Sequence, residues 1–520
     1  MSEVCVVRAG SIRSDVLPRW DAAAVGPETI LFAVLLLHVA ALSAVALLTQ
    51  PTLPLDLVEQ SAWAHDPQWV YFKHPPLPAW TLWFLDQATG HSQWAPAIIG
   101  PVLTALTLWI VFKLALRFVD AKRALLAAIA LEGVVYFNFT SLEFNHNIVQ
   151  LPLWALMGYF GHRACREGRT GDWLALGASA ALGMLGKYSS ALMIVSVLAA
   201  VLADPQGRQR FKSFGPWLAM AAASVLLVPH IVALAGIHFA PFRFPLERAA
   251  PAASIWDHLR NPLSFLAAQF VDVAAALLLL AVAIVPQGGE TAVRPRAVAP
   301  LDRRFVFLIA FAPICLSLGL ELISGARFLD MWGTPMWDFV GLAVVVAASG
   351  RAVSAAGLRR FAVLGCVVFG AALLARTVAD VVPPYWSFKG ERTEFPARAL
   401  AADIEQGWHR QLGKRPLAVV AGSAWFGGLL TVYAADHPAL MIDGACWKSP
   451  WLPRLSQSGA VLVWSLDDVG SGAAKLLAEF PHAVMQPPLL LRYDTGAPVP
   501  PARIGWAIVP PATPAPSCTK

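Results

Sequence analysis

Eleven apolar runs constrain this chain more than any other feature of its sequence. A helix needs about 20 predominantly apolar residues to cross a bilayer. The runs lie near 27–49, 95–116, 123–139, 147–162, 173–187, 189–204, 216–238, 263–286, 305–324, 334–350 and 361–382. The first run begins too far from Met1 for a cleaved signal peptide and is expected to remain as a helix. The sequence predicts a polytopic α-helical membrane protein with about eleven transmembrane helices.

Composition excludes two other classes of protein. Of the 520 residues, 57% are hydrophobic and only 14% are charged, which excludes an ordinary soluble enzyme and a disordered chain. The net charge is +6. A nucleic-acid-binding protein concentrates such an excess in a stripe, whereas here the cations lie in short loops between apolar runs. We therefore expect no nucleic-acid partner.

The placement of Lys and Arg predicts the orientation of the helices, since cytoplasmic loops are enriched in both. With a cytoplasmic N-terminus, every predicted cytoplasmic segment carries three or four such cations. The opposite loops together carry six, namely Lys73, Lys187, Arg243, Arg248, Arg260 and Arg327. These six contradict the orientation rule and need another reason to lie where they do.

The sequence divides into four segments. A cytoplasmic segment covers 1–26, and a transmembrane domain covers 27–383 and includes a first outer loop at 50–94. From 384 the chain carries more charge and turn residues, with strand-like runs at 417–420, 439–442, 461–464 and 489–492 and helix-like runs at 397–408 and 473–480. This predicts a small α/β domain at 384–508 on the outer side. The Pro-rich segment 509–520 is expected to be a disordered tail.

The cysteines suggest no zinc site, because the sequence has neither a CxxC pair nor a His/Cys cluster. Cys446 and Cys518 lie in the predicted outer domain, where a disulfide can form. Whether these two cysteines pair is left open at this stage.

The first outer loop carries the most informative polar residues. Asp56 and Glu59 follow the first predicted helix closely, and Lys73 and His74 stand directly before a Pro-Pro pair. Trp side chains at 63, 69, 80 and 83 would lie at the level of the lipid headgroups. Such a loop is either a solvated loop with an aromatic belt or a site for an amphiphile with a polar reacting head. Spacing alone leaves both interpretations open.

The loop and three later motifs resemble glycosyltransferase family 39. Family members share an acid after the first helix, an aromatic run and a basic residue before Pro-Pro, as in Asp56 and Trp69-Val70-Tyr71-Phe72-Lys73-His74-Pro75-Pro76. The likeness continues in Phe144-Asn145-His146-Asn147, Gly183-Met184-Leu185-Gly186-Lys187-Tyr188 and Trp332-Gly333-Thr334-Pro335. It covers about 27–350. The family includes protein O-mannosyltransferases and lipid A aminoarabinose transferases, which share the GT-C membrane fold.

The resemblance implies transfer of a sugar from a polyprenyl-phosphate donor with inversion at the anomeric carbon. Asp56 would be the catalytic base; its alternative role is a helix-end cap. The donor phosphate would be bound by cations drawn from Lys73, His74, Lys187, Arg243, Arg248, Arg260 and Arg327, although a snorkelling Lys187 and solvated arginines remain alternatives. Substrate would be contacted by Glu59, Trp69, Tyr71, Asn145, His146, Asn147 and Tyr188, and the two Asn side chains could instead cap a helix.

Two departures from the family pattern bear on cofactors. Leu57 stands where the family usually has Glu directly after the Asp, and Lys73 stands where an acid is common. A divalent metal bridged by an Asp-Glu pair is therefore in doubt. No other cofactor is predicted.

The expected acceptor is an envelope glycolipid of the lipopolysaccharide type, or a protein, presented at the outer face of a bacterial inner membrane. A protein O-mannosyltransferase, an oligosaccharide ligase and a flippase or transporter of lipid-linked sugars are the alternatives. A transporter commonly shows two similar halves, which this sequence lacks, and its ionisable residues would gather at the bilayer midplane. The sequence specifies neither the sugar nor the acceptor.

Overall fold

Helices account for most of the chain up to residue 381. The structure, a computed structural model, describes residues 26–249, 251–284, 297–449, 452, 455–467 and 472–511. The predicted cytoplasmic segment up to residue 25, the tail from residue 512 and Cys518 lie outside the described residues. The α-helices of this part are α1 Pro27–Thr49, α2 Leu55–Ala64, α3 Leu77–Thr89, α4 Ala95–Ala115, α5 Ala121–Ile129, α6 Val135–Asn138, α7 Gln150–Arg166, α8 Thr170–Gly186, α9 Ser190–Ala203, α10 Pro205–Arg210, α11 Gly215–Gly236, α12 Arg243–Arg248, α13 Asp257–Ile284, α14 Pro300–Ser324, α15 Val340–Ala347 and α16 Ala355–Val381.

Within the described residues, six helices are long and apolar enough to cross a membrane: α1, α4, α11, α13, α14 and α16. Each coincides with a predicted span. Large apolar side chains such as Leu36, Val225 and Leu374 are exposed along them, as expected for helices that face lipid. The protein is thus a multi-pass membrane protein.

The other five predicted spans are helical but shorter or interrupted. Helices α7 and α8 have 17 residues each and α9 has 14. The run near 123–139 is divided among α5, a 3₁₀ turn at Ala130–Gly133 and α6, and the run near 334–350 is divided between a 3₁₀ segment at Asp330–Trp337 and α15. Helices α7 and α15 are largely buried among the longer helices, whereas α8 and α9 also expose apolar side chains such as Leu174 and Leu198. The count of eleven spans stays a prediction.

Ion pairs connect the charged loops on one side of the helices. They join loops that the sequence places together in the cytoplasm, through Arg117–Glu167 at 2.7 Å, Arg163–Asp172 at 3.0 Å, Arg166–Asp204 at 2.7 Å and Arg166–Asp302 at 2.7 Å. Each acid neutralises part of a cationic cluster. The shared side of these loops agrees with the predicted topology.

The opposite side carries the loop 50–94 and the residues from 384 onward, and we call it the site face. Here the first and last of the six long helices are tied together. Thr49 and Gln50 donate hydrogen bonds to the Asp380 carboxylate at 2.7 and 3.1 Å, and Arg376 pairs with the same carboxylate at 3.0 Å. A buried carboxylate paired in this way keeps α1 and α16 adjacent where the loop begins.

The C-terminal part is an α/β domain on the site face. Its strands are β1 Val419–Gly422, β2 Ala439–Ile442, β3 Ala460–Ser465, β4 Val484–Met485, β5 Leu489–Leu491 and β6 Ala502–Val509, and its helices are α17 Pro383–Ser387, α18 Ala397–Leu412, α19 Phe426–Tyr433, α20 Leu455–Ser458 and α21 Gly472–Glu479. Strands β2, β1 and β3 are parallel, and β6 runs antiparallel to β3, β4 and β5.

Four strands and two helices lie where the sequence predicts them, within a few residues. The sequence prediction misses β4 and β6. Assigning Val509 to a disordered tail was wrong, because Val509 ends β6 and pairs with Ala460. Strand β6 is almost entirely buried. The Pro residues on both sides of it made the segment resemble a disordered tail.

The α/β domain packs directly on the loop 50–94. The backbone N–H of Thr52 donates to the carbonyl of Thr393 at 2.9 Å, and that of Leu53 donates to the Tyr433 hydroxyl at 2.9 Å. Helix α19 lies so close to α2 that a Cβ at Gly428 would stand 2.8 Å from a methyl group of Val58. The domain therefore fixes the position of α2, which carries the predicted base.

Candidate functional site

One face of α2 carries the polar residues of the site. The helix begins after Pro54, and an acid in its first turn is favoured by the helix dipole. Asp56, Glu59, Gln60 and Trp63 are spaced i, i+3, i+4 and i+7, which places them on one side of a helix. Glu59, Gln60 and Trp63 are buried, while Asp56 is half-buried.

Asp56 is oriented by an amide. The side-chain NH₂ of Asn145 donates to Oδ2 of Asp56 at 3.1 Å. The carbonyl oxygen of Asn145 accepts from the backbone N–H of Asn147 at 2.9 Å and so fixes the direction of the amide. Asn145 therefore both caps the chain before α7 and holds the predicted base, and its predicted contact with substrate stays a prediction.

Lys187 lies near this carboxylate. It occupies the extended residue between α8 and α9, and its Nζ donates to Oδ1 of Asn147 at 2.6 Å. The ammonium lies 5.7 Å from the ring centroid of Trp332 and interacts electrostatically with Asp56. The Asn145–Asn147 turn thus holds an acid with one amide and a cation with the other.

Lys73 forms a second charged pair with Glu59. Its Nζ lies 2.8 Å from Oε2 of Glu59, and only 5% of the Glu59 side chain is exposed. Burial raises the pKa of Glu59, and the adjacent Lys73 opposes that rise. The Lys73 ammonium also lies 4.8 Å from the centroid of the Phe244 ring. The unusual Lys at this position thus has an acid partner on α2.

This pairing bears on the metal question. Leu57 is fully buried in the core and offers no ligand, and the Glu59 carboxylate is engaged by Lys73. The residues beside Asp56 therefore do not form the two-carboxylate ligand set that a bridging metal ion requires.

His74 and His146 lie against each other, with ring centroids 3.9 Å apart. His146 is further placed by Gln60 Nε2 at 3.5 Å and by the carbonyl of Pro75 at 3.4 Å. Burial, followed by the proximity of His146 and Lys73, holds the pKa of His74 well below its usual range. His74 is therefore a neutral ring that can donate one N–H bond.

The aromatic residues of the loop take different roles. Tyr71 is fully buried, stacks on Trp63 at 4.6 Å and donates its hydroxyl to the carbonyl of Trp63. The ring therefore stabilises the loop from inside, and a substrate contact of Tyr71 stays a prediction. Trp69 is exposed, and its carbonyl is joined through His230 to the hydroxyl of Tyr188, with contacts of 2.6 and 3.2 Å.

The four arginines predicted to bind the donor phosphate are all exposed, namely Arg243, Arg248, Arg260 and Arg327. Arg248 lies close enough to His74 to affect its protonation. Arg243 precedes Phe244, whose ring lies 5.1 Å from that of His74. Arg260 and Arg327 flank the contact between the start of α13 and the end of α14, where the Asn261 amide donates to the carbonyl of Gly325 at 2.8 Å. The structure thus places Arg248 and the ring that follows Arg243 beside His74.

The α/β domain adds residues that the sequence reasoning missed. Trp447 packs edge-on against Phe72 at 6.1 Å, and the Lys448 ammonium lies 5.0 Å from the centroid of the same ring. Asp443 pairs with Lys448 and acts electrostatically on Glu59. No local signal marks these residues, because they approach the loop only through the docking of the domain. Gln60, in contrast, could have been found from its i+4 spacing to Asp56.

A group of possible metal ligands lies elsewhere, in the α/β domain. The ligand atoms of Glu405, His409 and Asp436 lie within 4.8 Å of one another. Glu405 already accepts the backbone N–H groups of Ala435 and Asp436, and Asp436 accepts that of Leu417 and faces His409 at 3.1 Å. These bonds close the turn before β2, which explains the cluster structurally.

The fold and the site together define a class: a polytopic membrane protein in which an amide-held carboxylate and half-buried cations meet on one side of the helices. Residues 73–232 match the family model described as dolichyl-phosphate-mannose-protein mannosyltransferase. This match confirms the resemblance to glycosyltransferase family 39 over these residues. The protein is a membrane glycosyltransferase of the GT-C type.

Two curated relatives match most of the chain. The lipopolysaccharide core galacturonosyltransferase RgtA of Rhizobium johnstonii is 27% identical over 82% of this chain and 85% of its own length. The lipopolysaccharide core galacturonosyltransferase RgtB of the same organism is 26% identical over 85% of this chain and 88% of its own length.

Two solved structures are more distant likenesses. The mycobacterial arabinofuranosyltransferase AftD matches 91% of this chain and 40% of its own length, with 14% identity and a TM-score of 0.48. The Archaeoglobus fulgidus oligosaccharyltransferase in its apo form matches 90% of this chain and 75% of its own length, with 12% identity and a TM-score of 0.41.

Proposed function

We propose that this glycosyltransferase moves one sugar from a polyprenyl-phosphate donor to an envelope glycolipid at the site face, with inversion at the anomeric carbon. The observation that carries the proposal is the pair Asp56 and Lys187, held by Asn145 and Asn147 of one turn. A transfer with a phosphate leaving group needs a base for the acceptor and a cation for the leaving group. This turn presents both.

The proposed reaction is a single displacement. The acceptor hydroxyl oxygen attacks the anomeric carbon while Asp56 takes its proton, so a C–O bond to the acceptor forms as the bond to the phosphate oxygen breaks. The electron pair of the broken bond stays on the phosphate, so no acid is needed at the leaving group. Lys187 and Lys73 stabilise the charge that develops there, and neutral His74 donates a hydrogen bond to it. The Lys187 ammonium, 5.7 Å from the centroid of the Trp332 ring, interacts electrostatically with the proposed base.

The names of the two relatives support a lipopolysaccharide core as the acceptor and a uronic acid as the first sugar to test. An acceptor of this kind is anionic and is presented at a membrane surface. Lys448 and the exposed arginines could bind the anionic groups of such an acceptor and leave Asp56 free to act as the base. The proposed location is a bacterial inner membrane, with the N-terminus in the cytoplasm and the site face in the periplasm.

Reconstitution tests the function. The purified full-length protein in lipid is given a polyprenyl-phosphate galacturonic acid and lipopolysaccharide from cells that lack the gene. Product formation is followed by the mass increase of one uronic acid on the glycolipid. Loss of that increase in Asp56→Asn, with donor still bound, is expected. Transfer that persists at the wild-type rate in this variant would contradict the proposed base.

Two alternatives give different results in the same assay. The family description names a protein acceptor, so a protein O-mannosyltransferase would glycosylate a Ser/Thr peptide with polyprenyl-phosphate mannose and leave the glycolipid unchanged. A flippase would move the donor across vesicles without forming any product. The lipopolysaccharide assay therefore separates all three.

A further inference from the structure

A cavity opens on the site face, apart from Asp56. Its volume is about 300 Å³, and its walls come from α2, from α3 and the residues that lead into α4, and from the end of α19 and the residues that follow it. This volume lies at the lower end of the range of about 300–1,000 Å³ for small-ligand sites. The cavity thus lies at the junction between the membrane domain and the α/β domain.

Helix α2 separates this cavity from the reacting groups. Ser61, Ala64 and His65 line the cavity, whereas Asp56 and Glu59 lie on the other face of the helix. At 3.6 residues per turn, Ser61 is rotated about 140° from Asp56 around the helix axis. A ligand in the cavity therefore does not touch the base. It would be a part of a substrate that is remote from the reacting hydroxyl.

The chemistry of the lining suits a sugar. Trp83 supplies a flat apolar surface, while Gln87, Gln93, Asp86 and Asp436 supply planar groups that can donate or accept hydrogen bonds. Vicinal hydroxyls, each both donor and acceptor, match such groups. None of the described lining residues is Lys or Arg, so the cavity does not favour a phosphate. This distinguishes it from the lysine-bearing site beside Asp56.

Two strained histidines close one side of the cavity. His91 and His437 have φ of 57° and 46°, a region that side chains other than Gly seldom adopt. Their rings stack at 4.6 Å, and His91 Nδ1 lies 2.8 Å from Asp86. One histidine comes from each domain. Strain of this kind persists where the surroundings enforce it, and it gathers at binding sites.

We infer that this cavity binds an uncharged sugar unit of the acceptor glycan, at a distance from the hydroxyl that reacts. The inference rests on the proposed transfer to a glycolipid, because it assigns the cavity to the acceptor of that reaction. The cavity then selects acceptors by a sugar that the reaction leaves unchanged. Both domains contribute to this selection.

Calorimetric titration tests the cavity without any turnover. The full-length Asp56→Asn protein in lipid nanodiscs is titrated with lipid-free core oligosaccharide released by mild acid from lipopolysaccharide. The Gln87→Ala/Gln93→Ala substitutions, added to Asp56→Asn, are expected to weaken binding at least tenfold. Phe84→Ala is the matched control, because Phe84 is 64% exposed, follows Trp83 and does not line the cavity. Inorganic phosphate and Zn²⁺ are titrated separately and should not displace the oligosaccharide.

Each outcome decides the inference. Equal binding by the cavity variant and its parent, no binding by either, or displacement by Zn²⁺ or phosphate would overturn it. With an active Asp56, the cavity variant should raise KM for the glycolipid and leave donor KM and kcat unchanged. If the oligosaccharide binds in the cavity but wild-type protein transfers no sugar from any polyprenyl phosphate, the proposed function fails and the sugar site remains.

Discussion

Asp56 owes its proposed role to one amide and one helix turn. The hydrogen bond from Asn145 orients the carboxylate, and its position in the first turn of α2 keeps it half-buried beside Lys187. Asp56→Asn keeps the shape and removes the basicity. A positioned base contributes about 10²–10⁴-fold to rate, so kcat should fall by that factor with donor affinity nearly unchanged. Product mass and donor binding are measured on the same preparation.

Asp66→Asn is the matched control for this change. Asp66 lies in the same loop and pairs with His65 at 3.1 Å, on the far side of α2. Its substitution should leave kcat within about twofold of wild type, since an exposed pair of this kind contributes little. An equal loss in both variants would mean that folding of the loop, and not the base, explains the result.

The lowered pKa of His74 predicts that the free energy of unfolding depends on pH. Because its folded pKa is held below the ordinary value of 6.5 by burial and by His146 and Lys73, the unfolded chain binds more protons there. The stability that neutral His74 confers is present above about pH 6.5 and is lost as pH falls below that value. One such group contributes a slope of up to about 1.4 kcal/mol per pH unit.

His74→Asn should therefore melt with a shallower pH dependence between pH 7 and pH 5 than the wild-type protein. Thermal unfolding at a series of pH values measures this slope. His482→Asn provides the comparison, because His482 is exposed and should leave the slope unchanged. A slope that is identical in all three proteins would contradict a buried neutral His74.

At the scale of elements, three faces of α2 have different roles. One side carries Asp56 and Glu59, a second lines the cavity, and a third packs on α19. The sequence could predict the first side, since the spacing of acids and aromatics is local. It could not predict the other two, because Gly428 and His437 lie several hundred residues away and meet α2 only after the domain docks.

The Lys73–Glu59 pair links α2 to the Pro-Pro segment of the loop, and its removal tests that link. Lys73→Met leaves a buried carboxylate without its cation, which costs about 3–5 kcal/mol when such a pair is broken from one side. Adding Glu59→Gln removes the uncompensated charge. The double variant should therefore be more stable than Lys73→Met alone, as measured by thermal unfolding.

Transfer activity separates the two roles of this pair. Donor use should stay weak in the double variant because the Lys73 cation is absent, even though stability recovers. A double variant that is as unstable as Lys73→Met would contradict the explanation by an unpaired charge. Recovery of full donor affinity would contradict the role of Lys73 at the phosphate.

The contact between α19 and α2 depends on a glycine. A Cβ at Gly428 would stand 2.8 Å from a methyl of Val58, whose β-branched side chain has little freedom in a helix. Gly428→Ala should therefore displace α2 or lose about 1–3 kcal/mol by overpacking, and lower transfer activity. Unfolding and activity assays check both effects.

Gly370→Ala is the matched substitution, since nothing lies within 4 Å of a Cβ at that position on α16. It replaces a helical Gly by the best helix former and should be neutral or slightly stabilising. Full activity in Gly428→Ala, as in Gly370→Ala, would show that the spacing of α19 and α2 does not position Asp56.

For the whole molecule, hydropathy predicted the multi-pass membrane class, whereas the orientation drawn from the cations stays a prediction. The six long helices follow from continuous apolar runs, whereas α7, α8 and α9 are too short for length alone to identify them as spans. The α/β domain was recognisable as alternating short elements. Its docking on the loop 50–94 was not, because a sequence records local pattern and not which surfaces meet.

The orientation of the whole protein is testable with two matched cysteine variants. Lys414 is exposed in the α/β domain and Lys212 is exposed beside α10, among the loops joined by ion pairs. If positive charges keep those loops in the cytoplasm, Lys414→Cys should react with a membrane-impermeant maleimide in cells with a permeabilised outer membrane. Lys212→Cys should react only after lysis, and wild-type protein corrects for native cysteines. The reverse pattern would place Asp56 on the cytoplasmic side, where a donor presented in the periplasm could not reach it.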